Sequence, residues 1–114
     1  MYLNFPTPEL PVADVEKAQV YYRDILGCKI EWLDPSKEIG AVSNGDTPLF
    51  FRKRNKPFEP AVHWVFIEDI DTAYAQLLKM GATIIDELED KPWGMRQFSI
   101  ADLDGNVFTM HHDL

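Results

Sequence analysis

Apolar residues recur along this chain with two different periods. Over VEKAQVYYRDIL they fall at Val15, Ala18, Tyr22, Ile25 and Leu26, a spacing that lines one face of an α-helix. Asp14 stands before the stretch as an N-cap and Gly27 after it as a C-cap, which predicts a helix over 15–26. A second stretch, IDTAYAQLLKMG, repeats the arrangement, with Asp69 ahead of Ile70, Ala73 and Leu77 and with Gly81 closing it. Asp69 lies 55 residues after Asp14 (69 − 14), and Gly81 lies 54 after Gly27 (81 − 27), so the second helix is a displaced copy of the first.

Around each helix the period shortens to that of strands. NFPTPELPVA precedes the first helix and AVHWVFIE the second. IEWL, IGAVSN and TPLFFRKR follow the first, with a turn at Asn44-Gly45-Asp46; ATIIDEL, MRQFSIA and NVFTMHH follow the second, with a turn at Asp102-Leu103-Asp104-Gly105. The order β-α-β-β-β thus occurs twice. It predicts an α+β fold in which one domain, 1–114, is built from two tandem modules, about 1–57 and 58–114. Each helix is expected to cover the outer face of a mixed sheet, leaving the other face curved around a hollow like a cup. Such a hollow favours a ligand cavity without specifying its chemistry.

Composition narrows the partners. Nineteen acids against eleven bases give a net charge of −8, a field that repels phosphate backbones and argues against nucleic acid. The one basic run, Arg52-Lys53-Arg54-Asn55-Lys56, reads as a solvated hairpin end rather than a phosphate site. Acidity favours cationic ligands, although it also serves solubility. The single cysteine, Cys28, rules out an intramolecular disulfide and reads as a packing residue in a reducing compartment. MYLNFPTPELPV lacks the basic and apolar regions of an export signal, and no apolar run approaches membrane-spanning length. A cytoplasmic protein without a membrane partner is expected.

The stretch KPWGMRQFSIADLDGNVFTM raises the question of chemistry, because Trp93 stands between two loop formers, Pro92 and Gly94. A tryptophan so placed either pins its loop to a core or offers a ring for stacking, and the loop context favours stacking. The acidic run Asp86, Glu87, Glu89 and Asp90 just before it reads as a solvated loop that lends a pocket mouth a negative rim. Strand alternation sets Val62, Trp64 and Phe66 on one face and His63 on the other, unless a bulge intervenes. His111 shares the parity of Thr109, although its place near the terminus also suits a partly solvated end. No serine lies in a G-x-S-x-G context.

These stretches together resemble the vicinal oxygen chelate superfamily, which includes glyoxalases, bleomycin-resistance proteins and extradiol dioxygenases. VADVEKAQVYYRDILG, residues 12–27, is similar to the first helix of that family, and Phe98–Asn106 matches its F-x-x-x-D-x-D-G-N hairpin. DTPLFFRK, HWVFIEDIDTAYAQL and KPWGMRQFSIADLDGN look most like the bleomycin-resistance branch, whose members are dimers that sequester a basic aromatic antibiotic without changing it. The resemblance implies that the metal-ligand positions of the enzymes correspond to Thr7, Val62 and Thr109, none of which suits a divalent ion. His63 and His111 are the weak metal candidates that remain, and they would need a carboxylate such as Glu9. Resemblance also implies ligand contacts at Trp64 and Trp93, and at the pair Glu31 and Trp32.

The expectation is therefore a homodimeric, cofactor-free binding protein holding an aromatic, cationic, antibiotic-like ligand. Its candidate site residues are Trp93, Trp64, Trp32, Glu31, Glu9, Phe66, Phe51, Thr109 and Gln97, with Met95 a further candidate and the two glutamates placed to neutralise a cation. Arg96 departs from the branch in its spacing from PWG, which puts a copied role in doubt. Two alternatives stay open: a metal-dependent lyase, transferase or dioxygenase of the same fold, and a binder of an unrelated metabolite.

Overall fold

Both helices form between the caps that the sequence supplies. In the computed structural model, which describes residues 1–114, α1 spans Val15–Leu26 and α2 spans Ile70–Met80. The Asp14 carboxylate accepts from the Lys17 backbone N–H at 3.0 Å, and that of Asp69 from Thr72 at 3.3 Å. Gly27 and Gly81 end the two helices in the left-handed region. Neither helix is long and apolar enough to cross a membrane.

The chain forms two units, Met1–Glu59 and Pro60–Leu114, each a four-stranded mixed sheet with one helix. In the first, β1 (Glu9–Val12), β2 (Lys29–Leu33), β3 (Ile39–Asn44) and β4 (Thr47–Lys53) lie in the order β1-β4-β3-β2. The second repeats this with β5 (Val62–Phe66), β6 (Thr83–Asp90), β7 (Met95–Ala101) and β8 (Val107–Asp113) in the order β5-β8-β7-β6. In each unit the helix carries the chain from one edge of the sheet to the other, so the first strand runs parallel to the last and the remaining pairs are antiparallel. The α+β architecture of two tandem β-α-β-β-β modules is the one expected.

Two elements differ from expectation. The first strand begins at Glu9 rather than Asn4, because Pro6 and Pro8 offer no N–H to a ladder; Thr7 therefore lies outside it. The acidic run is strand rather than loop: β6 extends through Asp90, and the carboxylates of Asp86, Glu89 and Asp90 have cationic partners.

Alternation decides which side chains meet each helix. Tyr22 of α1 and Phe51 of β4 are fully buried with ring centroids 4.7 Å apart, beside Leu10, Val12, Val15 and Val42. Gln19 is buried too, and its amide donates to the backbone oxygens of Trp32 (2.8 Å) and Ala41 (3.2 Å), beside the β-bulge between Ile30 and Trp32. In the second unit Tyr74 of α2 packs edge-on against Phe98 at 5.0 Å, above Ile70, Ile100, Phe108 and Met110.

The D-x-D-G-N hairpin is a structural lock. The Asp102 carboxylate accepts from the backbone of Asp104 and Asn106 and from the Asn106 amide, at 2.8, 2.9 and 3.0 Å. Asn106, fully buried, in turn accepts from the Ala61 N–H at 2.8 Å, fixing the start of β5 against the hairpin. This motif sets strand register; its polar groups are occupied with each other.

Two substitutions test the packing. A β-carbon at Gly40 would lie 2.8 Å from Val15 Cγ1 and 2.9 Å from Gln19 Nε2, so Gly40→Ala should cost about 1–3 kcal/mol in urea unfolding. Phe51→Ala should cost about 3–5 kcal/mol, whereas Phe50→Ala, on the opposite face, should cost far less. Equal losses at Phe50 and Phe51 would contradict this assignment of faces.

Candidate functional site

Because each helix covers one face of its sheet, chemistry available to a ligand lies on the helix-free face. In the first unit that face carries Glu9 and Phe50 in one paired row and Trp32 opposite Ala41. Trp32 is 43% exposed and meets Phe50 edge-on at 5.3 Å. Phe51, expected to line a pocket, instead belongs to the core under α1. Its neighbour Phe50 holds the position on the helix-free face. The consecutive phenylalanines of TPLFFRKR carry no phase of their own; only the helix contact at Tyr22 assigns one inward.

The two glutamates expected to meet a cation already have partners. Glu9 accepts from Arg52 Nε at 2.7 Å and lies 3.5 Å from the Arg54 guanidinium, so part of the basic run is spent within the unit. Glu31 accepts from the Ser43 hydroxyl at 2.8 Å and lies 3.7 Å from Lys29 Nζ.

The second unit gathers more of the candidates. Pairing across β7, β8 and β5 produces two rows on the helix-free face: Gln97 opposite His111, which is opposite Phe66, and Ser99 opposite Thr109, which is opposite Trp64. Trp64 and Phe66 are 56% and 60% exposed, and both meet the His111 ring edge-on, at 5.7 and 6.0 Å. Trp93 sits in a tight turn in which the Gly94 N–H donates to the Lys91 oxygen at 3.1 Å, with Gly94 in the left-handed region that the hairpin requires. Its indole N–H donates to Gln97 Oε1 at 2.9 Å, while the ring stays 59% exposed. The loop tryptophan is thus tied at its nitrogen and open at its face.

Two clusters of charge beside this face are paired. Lys91 bonds both Glu89 and Asp86, the latter at 3.1 Å, and these carboxylates hold its ammonium above the ordinary lysine range. Arg96 has the opposite parity to Gln97 and points to the helix side, binding Asp90 at 2.6 Å and Asp71 of α2 at 3.2 Å. It is a structural clamp between sheet and helix. Cys28 is buried, and that burial pushes its thiol up.

The donor set does not fit the metal of the superfamily's enzymes. Thr7 is exposed outside β1, Val62 is a hydrocarbon, and the Thr109 hydroxyl is hydrogen-bonded to Ser99 at 2.8 Å. His63 stacks on Phe108 at 5.9 Å on the helix side, one strand position away from Val62. No group of three or more His, Cys, Asp or Glu side chains is arranged to hold an ion.

Fold, motif and face composition lead to one class of protein. The chain belongs to the Glyoxalase/Bleomycin resistance protein/Dioxygenase superfamily, whose family model matches residues 4–110. An uncharacterised protein, YraH of Bacillus subtilis (strain 168), is 27% identical over 118 residues, spanning 90% of this chain and 92% of its own. Among solved structures, TioX from Micromonospora sp. ML1 matches with a TM-score of 0.80 at 22% identity, over 97% of this chain and 100% of its own. A bleomycin-binding protein complexed with bleomycin matches with a TM-score of 0.82 at 20% identity, over 98% and 100%. A second, from Streptomyces verticillus with copper(II)-bleomycin, gives 0.81 at 19% identity, over 96% of each chain. At such identities the shared property is the fold.

The Arg96–Asp90 clamp makes a pH prediction. Its hydrogen bonds hold the Asp90 carboxyl below the usual aspartate range. The folded value is the lower one, so the stabilisation is complete above about pH 4 and is lost as pH falls through the folded value. Arg96→Met should therefore move the acid-unfolding midpoint, followed by circular dichroism, to higher pH. An unchanged acid limb would show that the clamp adds nothing to stability.

Proposed function

We propose that this protein is a metal-free binding protein that sequesters an aromatic, antibiotic-like small molecule in a cleft of a homodimer. The observation that carries this reading is the cluster on the helix-free face of the second unit, where Trp64, Phe66 and Trp93 are each more than half exposed. Large apolar rings left in water forgo burial that would stabilise the fold, about 1 kcal/mol each at this exposure, and their grouping marks a binding surface. Stacking on each ring contributes about 0.5–1.5 kcal/mol to a planar ligand. Two structural neighbours are described as bleomycin-binding proteins, which makes glycopeptides of that type the first ligands to try. The paired state of Glu9 and Glu31 shifts the weight of recognition from the charge of the ligand to its rings.

Intrinsic tryptophan fluorescence of EDTA-treated protein, titrated with bleomycin, tests this. Saturable quenching with two sites per dimer is expected, and Trp93→Ala should weaken binding about two- to tenfold. Absence of quenching at high micromolar drug would refute the antibiotic assignment. Sedimentation at the same concentration reads the dimer independently.

A further inference from the structure

Two nitrogen atoms on the helix-free face of the second unit define what the aromatic cluster accepts, an inference that rests on the binding reading above. His111 Nδ1 is sealed from solvent and has no hydrogen-bond partner. A neutral imidazole carries its proton on one nitrogen only, and burying an unpaired N–H is disfavoured more than burying an unpaired lone pair. The proton therefore belongs on Nε2, the nitrogen not sealed in, and His111 offers an N–H donor beside the Trp64 and Phe66 rings.

Gln97 is only 5% exposed and lies directly opposite His111 in the sheet. Trp93 Nε1 can only donate, so the amide oxygen of Gln97 must face it, as observed at 2.9 Å. That contact orients the amide and leaves its NH2 without a protein acceptor. Like His111 Nε2, this nitrogen is absent from the sealed, unpaired atoms. Of the carboxylates on the same face, Asp86 and Glu89 share Lys91, while Asp113 stands exposed at the end of β8 opposite Met95.

We propose that His111 Nε2–H and the Gln97 amide form a two-donor recognition pair, selecting a planar ring system that carries hydrogen-bond acceptors on one edge. Trp64, Phe66 and Trp93 supply the stacking surface; the two donors supply the orientation. The pair also gives Trp93 a second role, because its indole N–H holds the Gln97 amide in the donating orientation.

Three bicyclic probes of similar size separate the possibilities in fluorescence titrations: chromone (acceptor-bearing, neutral), naphthalene (no acceptor) and N-methylquinolinium (cationic). Chromone should bind about tenfold more tightly than naphthalene, the worth of two modest hydrogen bonds. His111→Phe keeps the ring and removes the donor; Gln97→Glu keeps an acceptor for Trp93 and replaces the donor with a carboxylate. Each should abolish the preference for chromone over naphthalene, and Gln97→Glu should turn it toward N-methylquinolinium. Unchanged thermal melts would establish that both variants fold. Equal binding of chromone and naphthalene by the unmodified protein would overturn the donor pair while leaving the aromatic surface standing. Binding of none would overturn both. A ligand-independent check is the ¹H–¹⁵N spectrum of the imidazole at pH 8, which should show the Nε2–H form of His111; the Nδ1–H form would overturn the proposal.

Discussion

The packing of Tyr22 against Phe51, and of Tyr74 over the buried Phe98, fixes the phase of both sheets. A strand has two faces, and a slip of one residue would exchange every side chain between them. Once a helix has sealed one aromatic from each sheet beneath it, every other position along the paired strands is assigned. Trp32 and Phe50 on one sheet, and Trp64, Phe66 and Gln97 on the other, face away from the helices for that reason. Gly40 and Gln19 reinforce the first contact: the missing side chain lets α1 approach, and the buried amide satisfies two strand carbonyls.

Charge plays a different part from the one its abundance suggests. The chain carries −8 overall, yet Glu9, Glu31, Asp86 and Glu89, beside the aromatic faces, are held by Arg52, Arg54, Lys29 and Lys91. Such exposed pairs add little stability, since water screens them and ordering long side chains has an entropic cost. Their effect is local. They hold these carboxylates against neighbouring cations beside the exposed rings.

The D-x-D-G-N hairpin and the exposed aromatic face are also distinct. Asp102 and Asn106 are tied to each other and to the backbone at Ala61, so the hairpin that most clearly marks the superfamily positions β5 and β8. Family resemblance is thus written into the frame, whereas the side chains available to a ligand stand on strand positions that the frame merely orients. The same separation allows one fold to host unrelated functions.

How much was legible in the sequence follows from what is local. Helix periodicity, the Asp and Gly caps and the duplication are short-range properties, and they determined the two helices, the repeated β-α-β-β-β order and the parity that sets Val62, Trp64 and Phe66 opposite His63. Position within paired strands was not legible. TPLFFRKR could not say which phenylalanine turns inward, and nothing local tied Trp93 to Gln97 or exposed the unpaired nitrogen of His111. The acidic residues before PWG had the composition of a loop and became strand, because β7 and two cations were there to receive them. Those assignments belong to the tertiary structure: strand pairing brings together residues far apart in the chain, and only the packed helix breaks the symmetry between the two faces of a sheet.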